Sequence, residues 1–216
     1  MILRTVPIGE YDRRVVVLTK ERGKISAFAK GARKPNSSLV AATSPFSFGE
    51  FKLYAGRSSY NMTEADISNY FEGFREDFDG ACYGMYFLDV MDYYTRENND
   101  ERAMLKLLYQ SLRALLAPSL GRELVRCVFE LKALALNGEY PGLPEDRAYL
   151  ESTAYAVDYI VGSTVEKLYT FTVRKEVLTE LEWITERFRR QFMDRELKSL
   201  AVLEGIKSQF RIENQT

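Results

Sequence analysis

The residues of this sequence best suited to chemistry are cations. Eight lysines and arginines fall within 22 residues: Arg13, Arg14, Lys20, Arg22, Lys24, Lys30, Arg33 and Lys34. Phosphate contacts need positive charge without strict geometry, so such a cluster predicts affinity for nucleic acid without sequence specificity. Four aromatic residues accompany it: Tyr11, Phe28, Tyr54 and Tyr60. An exposed ring could stack on an unpaired base, whereas a buried ring would belong to the core.

The charge is unevenly distributed along the chain. Residues 1–60 carry 11 Lys/Arg and 4 Asp/Glu, and residues 61–102 carry 3 Lys/Arg and 11 Asp/Glu. The remainder is balanced, so the whole chain has a net charge of -1. A basic N-terminal block predicts a surface for an anionic partner, and the alternative is a solvated basic surface with no partner.

Catalytic groups are scarce. The chain has no histidine, which excludes Ser-His-Asp and Cys-His catalysis and every histidine-ligated metal site. The two cysteines, Cys82 and Cys127, lie in apolar surroundings that favour buried thiols. A magnesium-dependent nuclease is the enzymatic alternative, because carboxylates could hold two metal ions. Its candidates are Asp77, Asp79, Asp89, Asp92, Asp100 and Glu101, although acidic residues on a helix are usually solvated. We interpret the chain as a non-enzyme that needs no cofactor.

Short strands must position the cations. The pattern predicts strands at 2–6, 13–19, 24–29, 48–54 and 60–67, with a hairpin turn at Gly23 and a basic loop at 30–38. In the fourth strand, Phe51 and Leu53 should point inward, with Glu50 and Lys52 outward. Five short strands in under 70 residues are typical of a small closed barrel.

Helical periodicity follows from about residue 70. It predicts helices at about 78–95, 100–116, 119–136, 152–161, 175–193 and 195–205, with a polar tail from Lys207. The fold class is therefore α+β, with a barrel domain over residues 1–70 and a helical domain over 71–216. The composition, with 46% hydrophobic and 28% charged residues, is that of a globular protein. With neither a long apolar run nor a signal peptide, we expect a cytoplasmic, nucleoid-associated protein without membrane contact.

Short motifs in the N-terminal region are similar to those of a known family. They are Leu3-Arg4-Thr5, Gly9–Arg13, Leu18–Lys24 and Ala29–Lys34, in that order. Phe129-Glu130-Leu131, Gly138 with Pro141, and Lys198-Ser199-Leu200 fit further along the chain. Together they resemble the bacterial DNA repair protein RecO family, strongly over residues 1–60 and diffusely beyond.

The resemblance implies an N-terminal OB-fold barrel and a C-terminal helical domain. It also implies binding of single- and double-stranded DNA, annealing of complementary strands, and action with RecR and single-stranded-DNA-binding protein to load RecA. The alternative is an OB-fold and helical interaction scaffold without DNA affinity of its own.

Two departures from the family are visible. Many members carry four zinc-binding cysteines after the Gly-x-x-Pro element, whereas residues 143–171 here contain none. We expect no zinc, and apolar packing of this segment through Tyr155, Ile160, Leu168 and Phe171. The family also usually has several residues before the first strand, and this chain begins at Met1-Ile2-Leu3.

Some candidate site residues are implied by matching family motifs, and others are chosen from their charge and position in the sequence. Matching motif positions give Arg13, Lys24, Lys30, Arg33 and Lys34 as DNA-contact candidates, and position and charge add Arg14 and Arg57. A pocket for the acidic, apolar tail of single-stranded-DNA-binding protein needs a basic residue beside an apolar groove. Arg122, Arg126 and Phe129 meet that description, and an ordinary exposed arginine pair is the alternative.

Overall fold

Five strands form the N-terminal sheet in the computed structural model. They are β1 (Ile2–Ile8), β2 (Asp12–Thr19), β3 (Gly23–Ala29), β4 (Phe48–Ala55) and β5 (Tyr60–Asn69). The structure describes residues 1–56 and 59–213, with side chains through residue 205. All five predicted strands are present, each longer than predicted by one or two residues.

The strand order identifies the sheet as an OB-fold. The order is β1-β2-β3-β5-β4, and every pairing is antiparallel except that of β3 with β5. The first residue of β1 is hydrogen-bonded to the residues just before β4. Ile2 N donates to Ser47 O at 2.9 Å, and Ile2 O accepts from Phe46 N at 3.1 Å. A five-stranded Greek-key barrel of this kind confirms the predicted α+β class.

Alternation of side chains along the strands builds the barrel core. Its fully buried members include Ile2, Val15, Val17, Ala27, Ala29 and Met62. Phe51 and Leu53 pack against this cluster while Glu50 and Lys52 are exposed, as predicted for the fourth strand. The inward side chains leave the opposite faces of the same strands available to solvent.

The β2–β3 turn is fixed against residues 96–99. Gly23 has φ +63°, and a Cβ at this position would lie 2.2 Å from Arg96 O. Lys24 N donates to Arg96 O at 3.0 Å, and Asn98 N donates to Arg22 O at 2.9 Å. Glycine is required here both by the left-handed backbone and by this close approach.

Seven α-helices lie in the described part of the chain. They are α1 (Leu39–Ala42), α2 (Phe78–Tyr94), α3 (Arg102–Leu115), α4 (Arg122–Leu136), α5 (Glu151–Gly162), α6 (Lys175–Phe192) and α7 (Lys198–Glu213). Short 3₁₀ segments occur at Glu72–Arg75 and Val165–Lys167. None of these helices, over the residues described, has the length and apolarity needed to cross a membrane.

The chain divides into two compact units. We call Met1–Glu76 with Leu88–Leu105 the barrel unit, and Asp77–Phe87 with the chain from Lys106 onward the helical unit. The sequence-based boundary at residue 70 stays a prediction. In the helical unit α4 is buried on nearly all sides, including Phe129, whose ring stacks on Phe87 with centroids 4.0 Å apart. A helix buried all round is typical of the centre of a bundle.

The segment from 143 to 171 is held partly as predicted. Ile160 and Leu168 are fully buried and Phe171 is half-buried, but Tyr155 is 73% exposed, so its predicted role in packing is wrong. The part of this segment that precedes α5 is held by Arg147, whose guanidinium lies 4.9 Å from the centroid of the Trp183 ring on α6. Arg187 lies 5.3 Å from the same centroid. Stacking of cations on an aromatic ring therefore anchors this loop.

Two helical predictions needed correction. The last helix begins at Lys198 and continues to Glu213, so the predicted polar tail from Lys207 is helical. The four-residue helix α1 lies in a region without helical periodicity and was not predicted. The Thr43 hydroxyl donates to Leu39 O at 2.6 Å and fixes the end of this short turn.

Candidate nucleic-acid interface

The basic loop after β3 is attached to the β1–β2 turn. Gly31 N donates to Asp12 Oδ1 at 2.7 Å, and Arg33 N donates to Tyr11 O at 2.9 Å. The Arg33 guanidinium also donates to Gly9 O at 3.1 Å. These bonds hold the loop in one place, so its cations form a defined surface.

Four of the predicted DNA-contact residues are exposed on or beside this surface: Arg14, Lys30, Arg33 and Lys34. Arg14 Nε donates to Ser26 Oγ at 2.8 Å, and Lys34 Nζ lies 5.7 Å from the centroid of the Tyr11 ring. Among the described residues none of the four has a carboxylate within ion-pair distance. Their positive charge therefore faces solvent without a fixed counter-charge. We call this set the free cations.

The structure gives Arg13 and Lys24 internal partners. Arg13 Nη1 donates to Val40 O at 2.6 Å and to Thr43 Oγ1 at 2.7 Å, which holds the chain around α1. Lys24 Nζ donates to both the backbone oxygen and the carboxylate of Asp92, the latter at 2.9 Å. Both cations position other parts of the barrel unit. Arg57 lies outside the described residues.

A row of side chains crosses the outer face of the sheet. Val6 pairs with Arg14, Arg14 with Phe28, Phe28 with Asn61, and Asn61 with Tyr54. Side chains directly opposite one another in a ladder lie on the same face. The row therefore sets a guanidinium beside Phe28 and places Tyr54, which is 68% exposed, on the same face.

The aromatic residues of the barrel unit differ in their exposure. Tyr11 is 45% exposed, and the pKa of its hydroxyl is raised because Glu10 accepts its hydrogen bond. Tyr54 is exposed and Phe28 is half-buried, whereas Tyr60 packs against the barrel core. Tyr11, Tyr54 and Phe28 are therefore the rings that could meet a base. The row itself was missed in the sequence, because register and pairing order are needed to find it.

Arg122 of the helical unit is bound by carboxylates. Its guanidinium donates to Asp77 at 2.7 Å and also to Asp79. Burial alone would lower the pKa of Arg122, but these carboxylates outweigh burial and raise it. The guanidinium is therefore held as a cation by its own unit, with about a third of its side chain exposed.

Arg126 and Phe129 lie deeper in the same unit. Arg126 Nε donates to Glu130 Oε1 at 2.7 Å, Tyr86 OH donates to the same oxygen at 2.6 Å, and Arg189 lies nearby. Burial would raise the pKa of Glu130, but Arg126 and Arg189 lower it below its usual value. Phe129 is 0% exposed, so it cannot line an open groove in this conformation.

Five of the six carboxylates considered for metal binding, all except Asp89, have protein partners in the part of the chain that the structure describes. Asp77 and Asp79 bind Arg122, Asp92 binds Lys24, and Glu101 accepts a hydrogen bond from Arg96 N at 3.1 Å. Asp100 Oδ1 accepts a hydrogen bond from Arg102 N at 3.1 Å at the start of α3. No group of three or more metal-ligating side chains occurs among the described residues. The cysteine-free segment 143–171 does not fit the zinc site of the family.

Comparison with known proteins agrees with the resemblance seen in the motifs. The profile for the family described as Recombination protein O N terminal matches residues 1–71, and that for Recombination protein O C terminal matches residues 75–148. The DNA repair protein RecO of Acetivibrio thermocellus is 29% identical over 245 aligned residues, spanning 99% of this chain and 96% of that protein.

Two further relatives carry the same name. RecO of Clostridium novyi is 27% identical over 96% of this chain and 93% of its own length. RecO of Bacillus subtilis is 30% identical over 66% of this chain and 56% of its own length. With both profiles in order and similarity across nearly the whole sequence, the chain belongs to the RecO family of DNA repair proteins.

Proposed function

We propose that this chain is a non-enzymatic recombination mediator that binds single- and double-stranded DNA and anneals complementary strands. The free cations carry the proposal: Lys30, Arg33 and Lys34 lie in the loop attached to the β1–β2 turn, Arg14 lies on the outer face of β2, and none of the four has an ion pair in the described part of the chain. Unpaired surface cations can exchange their counterions for phosphates, which drives nucleic-acid binding. Annealing then requires only neutralised charge and proximity of the two strands.

Base contacts on the barrel are proposed for the aromatic residues near the free cations. Tyr54 and Phe28 share the outer face of the sheet with Arg14, and Tyr11 lies beside Lys34. Stacking on an aromatic ring contributes about 1–3 kcal/mol per base and does not depend on base identity. This combination of charge and stacking favours single strands, whose bases are accessible.

The first test is the binding of fluorescently labelled single-stranded DNA, measured by anisotropy at several salt concentrations. The variant Lys30→Glu/Arg33→Glu/Lys34→Glu should bind at least tenfold more weakly. Its plot of log affinity against log salt should be shallower by about 2, because each lost phosphate contact removes about 0.7 from the slope. The matched control Arg102→Glu/Arg113→Glu/Lys198→Glu makes the same change in charge at exposed positions outside the surface.

Annealing is measured with complementary oligonucleotides labelled by a dye and a quencher. The wild-type chain should accelerate pairing, and the triple variant of the free cations should lose most of that acceleration. Absence of DNA binding by the wild-type chain at low salt would overturn the proposal. It would leave the alternative, an interaction scaffold without DNA affinity. Cleavage of labelled DNA in magnesium or manganese would overturn the non-enzymatic part.

Partners are proposed from family membership. We infer that the chain acts in the cytoplasm with RecR and with the acidic tail of single-stranded-DNA-binding protein, and thereby helps to load RecA. Of the residues considered for the tail, Arg122 retains the most exposed side chain, at 32%. An acidic tail must compete there with Asp77 and Asp79, so Arg122→Ala should weaken binding of an acidic peptide if this contact is used.

A further inference from the structure

A groove in the helical unit contains none of the residues considered above for binding DNA or a protein partner. It is formed by α5, by the extended segment 170–174 and by the first turn of α6, and it has a volume of about 730 Å³. We call it the α5 groove. Its most distinctive lining residues are Tyr155, Tyr159, Phe171 and Arg174. A groove of this volume is large enough for a nucleotide-sized group.

The rings of the α5 groove have different roles. Tyr159 OH donates to Lys167 O at 3.1 Å, and its ring meets Phe171 edge to face with centroids 5.3 Å apart. Tyr159 thereby fixes Phe171. Tyr155 lies one helical turn before Tyr159 and is 73% exposed. An exposed ring beside two fixed ones offers a face for another flat π-system.

The charge of the groove lining is positive. Arg174 is the only charged residue among the lining residues, and Ser152, Thr170 and Thr172 add hydroxyl groups. Four charged residues adjoin lining residues in sequence but do not line the groove: Glu151, Asp158, Lys175 and Glu176. Arg174 also precedes the 18-residue helix α6, whose N-terminus favours negative charge. The groove is therefore complementary to an anion that carries a flat ring.

We propose that the α5 groove binds single-stranded DNA, with a base stacked on Tyr155 and a phosphate at Arg174. The proposal rests on the proposed function, because it gives an annealing protein a second strand-binding surface. One strand would bind the barrel unit and the other the helical unit. Aromatic faces, hydroxyl groups and one cation match a nucleotide better than an aliphatic peptide, since the aliphatic lining is limited to Ala156, Val173 and Val177.

The test is photo-crosslinking of the full chain to an oligothymidine that contains 5-iododeoxyuridine, with the modified peptide identified by mass spectrometry. We expect a crosslink to Tyr155 or Phe171. The triple variant Lys30→Glu/Arg33→Glu/Lys34→Glu should keep a residual affinity for DNA. Adding Tyr155→Ala to it should lower that affinity about fivefold, which corresponds to about 1 kcal/mol, the lower end of the range for stacking on one base. Arg174→Ala should reduce it as well. Phe78→Ala is the matched control, because Phe78 is an equally exposed ring of the same unit at 70%.

The outcomes separate this proposal from the preceding one. If the wild-type chain binds DNA through the free cations, but Tyr155→Ala and Arg174→Ala change nothing and no crosslink maps to the α5 groove, the groove proposal is overturned alone. An acidic peptide that contains phenylalanine is the second probe. If it binds the wild-type chain, binds the Tyr155→Ala variant more weakly and is not displaced by DNA, the groove is a peptide site and this proposal is also overturned. If the wild-type chain binds no DNA, both proposals fail.

Discussion

Arg33 of the barrel unit and Arg126 of the helical unit carry the same guanidinium group among different neighbours. Arg33 is exposed and donates to the backbone oxygen of Gly9, an uncharged acceptor. Arg126 has only 12% of its side chain exposed and donates to the carboxylate of Glu130. A cation that binds a carboxylate of its own unit stabilises that unit, whereas one bound to a neutral oxygen keeps its charge available to a partner.

The same distinction divides the cations within the barrel unit. Lys24 and Lys34 lie ten residues apart, yet Lys24 is paired with Asp92 while Lys34 lies over the Tyr11 ring. Exposed charges respond strongly to salt, and partly buried pairs respond little. The comparison therefore predicts that one set of variants changes stability and the other changes DNA binding.

The largest expected effect concerns the buried carboxylate of the helical unit. Glu130→Gln removes the charge that binds Arg126 and Arg189, both of which have side chains less than 15% exposed. Arg189 keeps a second carboxylate, Glu204 at 3.4 Å, but Arg126 would be left without a counter-charge, and we expect the free energy of unfolding to fall by about 3–5 kcal/mol. Urea denaturation followed by circular dichroism measures it. Glu145→Gln, at an exposed position, should change stability by less than about 0.5 kcal/mol.

The interaction of Glu130 with Arg126 and Arg189 should also make the stability of the chain depend on pH in the acid range. The pKa of Glu130 is lower in the folded chain than in the unfolded chain, so its contribution is present above the unfolded value of about 4.3. That contribution should be lost as the pH falls below 4 towards the folded pKa. Glu130→Gln should therefore show a shallower loss of stability in acid than the wild-type chain. Equal slopes would contradict the role given to Glu130.

A smaller loss is expected at the β2–β3 turn. Gly23→Ala places a Cβ 2.2 Å from Arg96 O on a backbone with φ +63°. We expect a loss of about 3 kcal/mol, because left-handed strain is added to a steric clash. Gly9→Ala is the matched control, since Gly9 has φ +54° with no atom within 4 Å of the added Cβ, and it should cost only about 1–2 kcal/mol. Equal losses would show that the close approach is unimportant.

Lys24 provides the next test. Lys24→Met removes two hydrogen bonds to Asp92, which has only 14% of its side chain exposed, and should cost about 1–2 kcal/mol of stability. The salt dependence of DNA binding should not change. Lys20→Met, at an exposed position, is the control for stability. A flatter salt dependence in a fully folded Lys24→Met chain would instead make Lys24 a DNA contact.

The smallest effect on stability is expected at Lys34. Lys34→Ala should change the free energy of unfolding by less than about 0.5 kcal/mol, because the side chain is exposed and has no ion pair among the described residues. The slope of log affinity for single-stranded DNA against log salt concentration should become shallower by about 0.7 in this variant, the value for one phosphate contact. A loss of stability without a change in salt slope would place Lys34 with the structural cations.

Local patterns were enough to predict most of the fold. Alternation in β4 placed Phe51 and Leu53 inward, and helical periodicity located α2 and α6 to within a few residues. The helix α1 was missed because four residues carry no period. Its end is fixed by Arg13, which is 27 residues away from Val40 in sequence. Contacts of that kind follow from tertiary structure and leave no local signal.

The candidate site was predictable as a region but not residue by residue. The cluster of cations is visible in sequence, but which members are exposed depends on distant partners such as Asp92 for Lys24. The sequence predicts Phe129 in a surface groove because Arg122 and Arg126 lie close to it in the chain. The structure buries it against Phe87, which lies on another helix. Tyr155 is the converse case, predicted to be buried and found exposed.

The stacking of Arg147 and Arg187 on Trp183 has a practical consequence. The chain contains a single tryptophan, and one of the two cations over its ring belongs to the loop before α5 while the other belongs to α6. Release of the loop would remove Arg147 from the indole and leave Arg187 in place. The fluorescence of Trp183 should therefore change when the loop detaches. A change in this fluorescence that precedes the main unfolding transition would mark detachment of the loop.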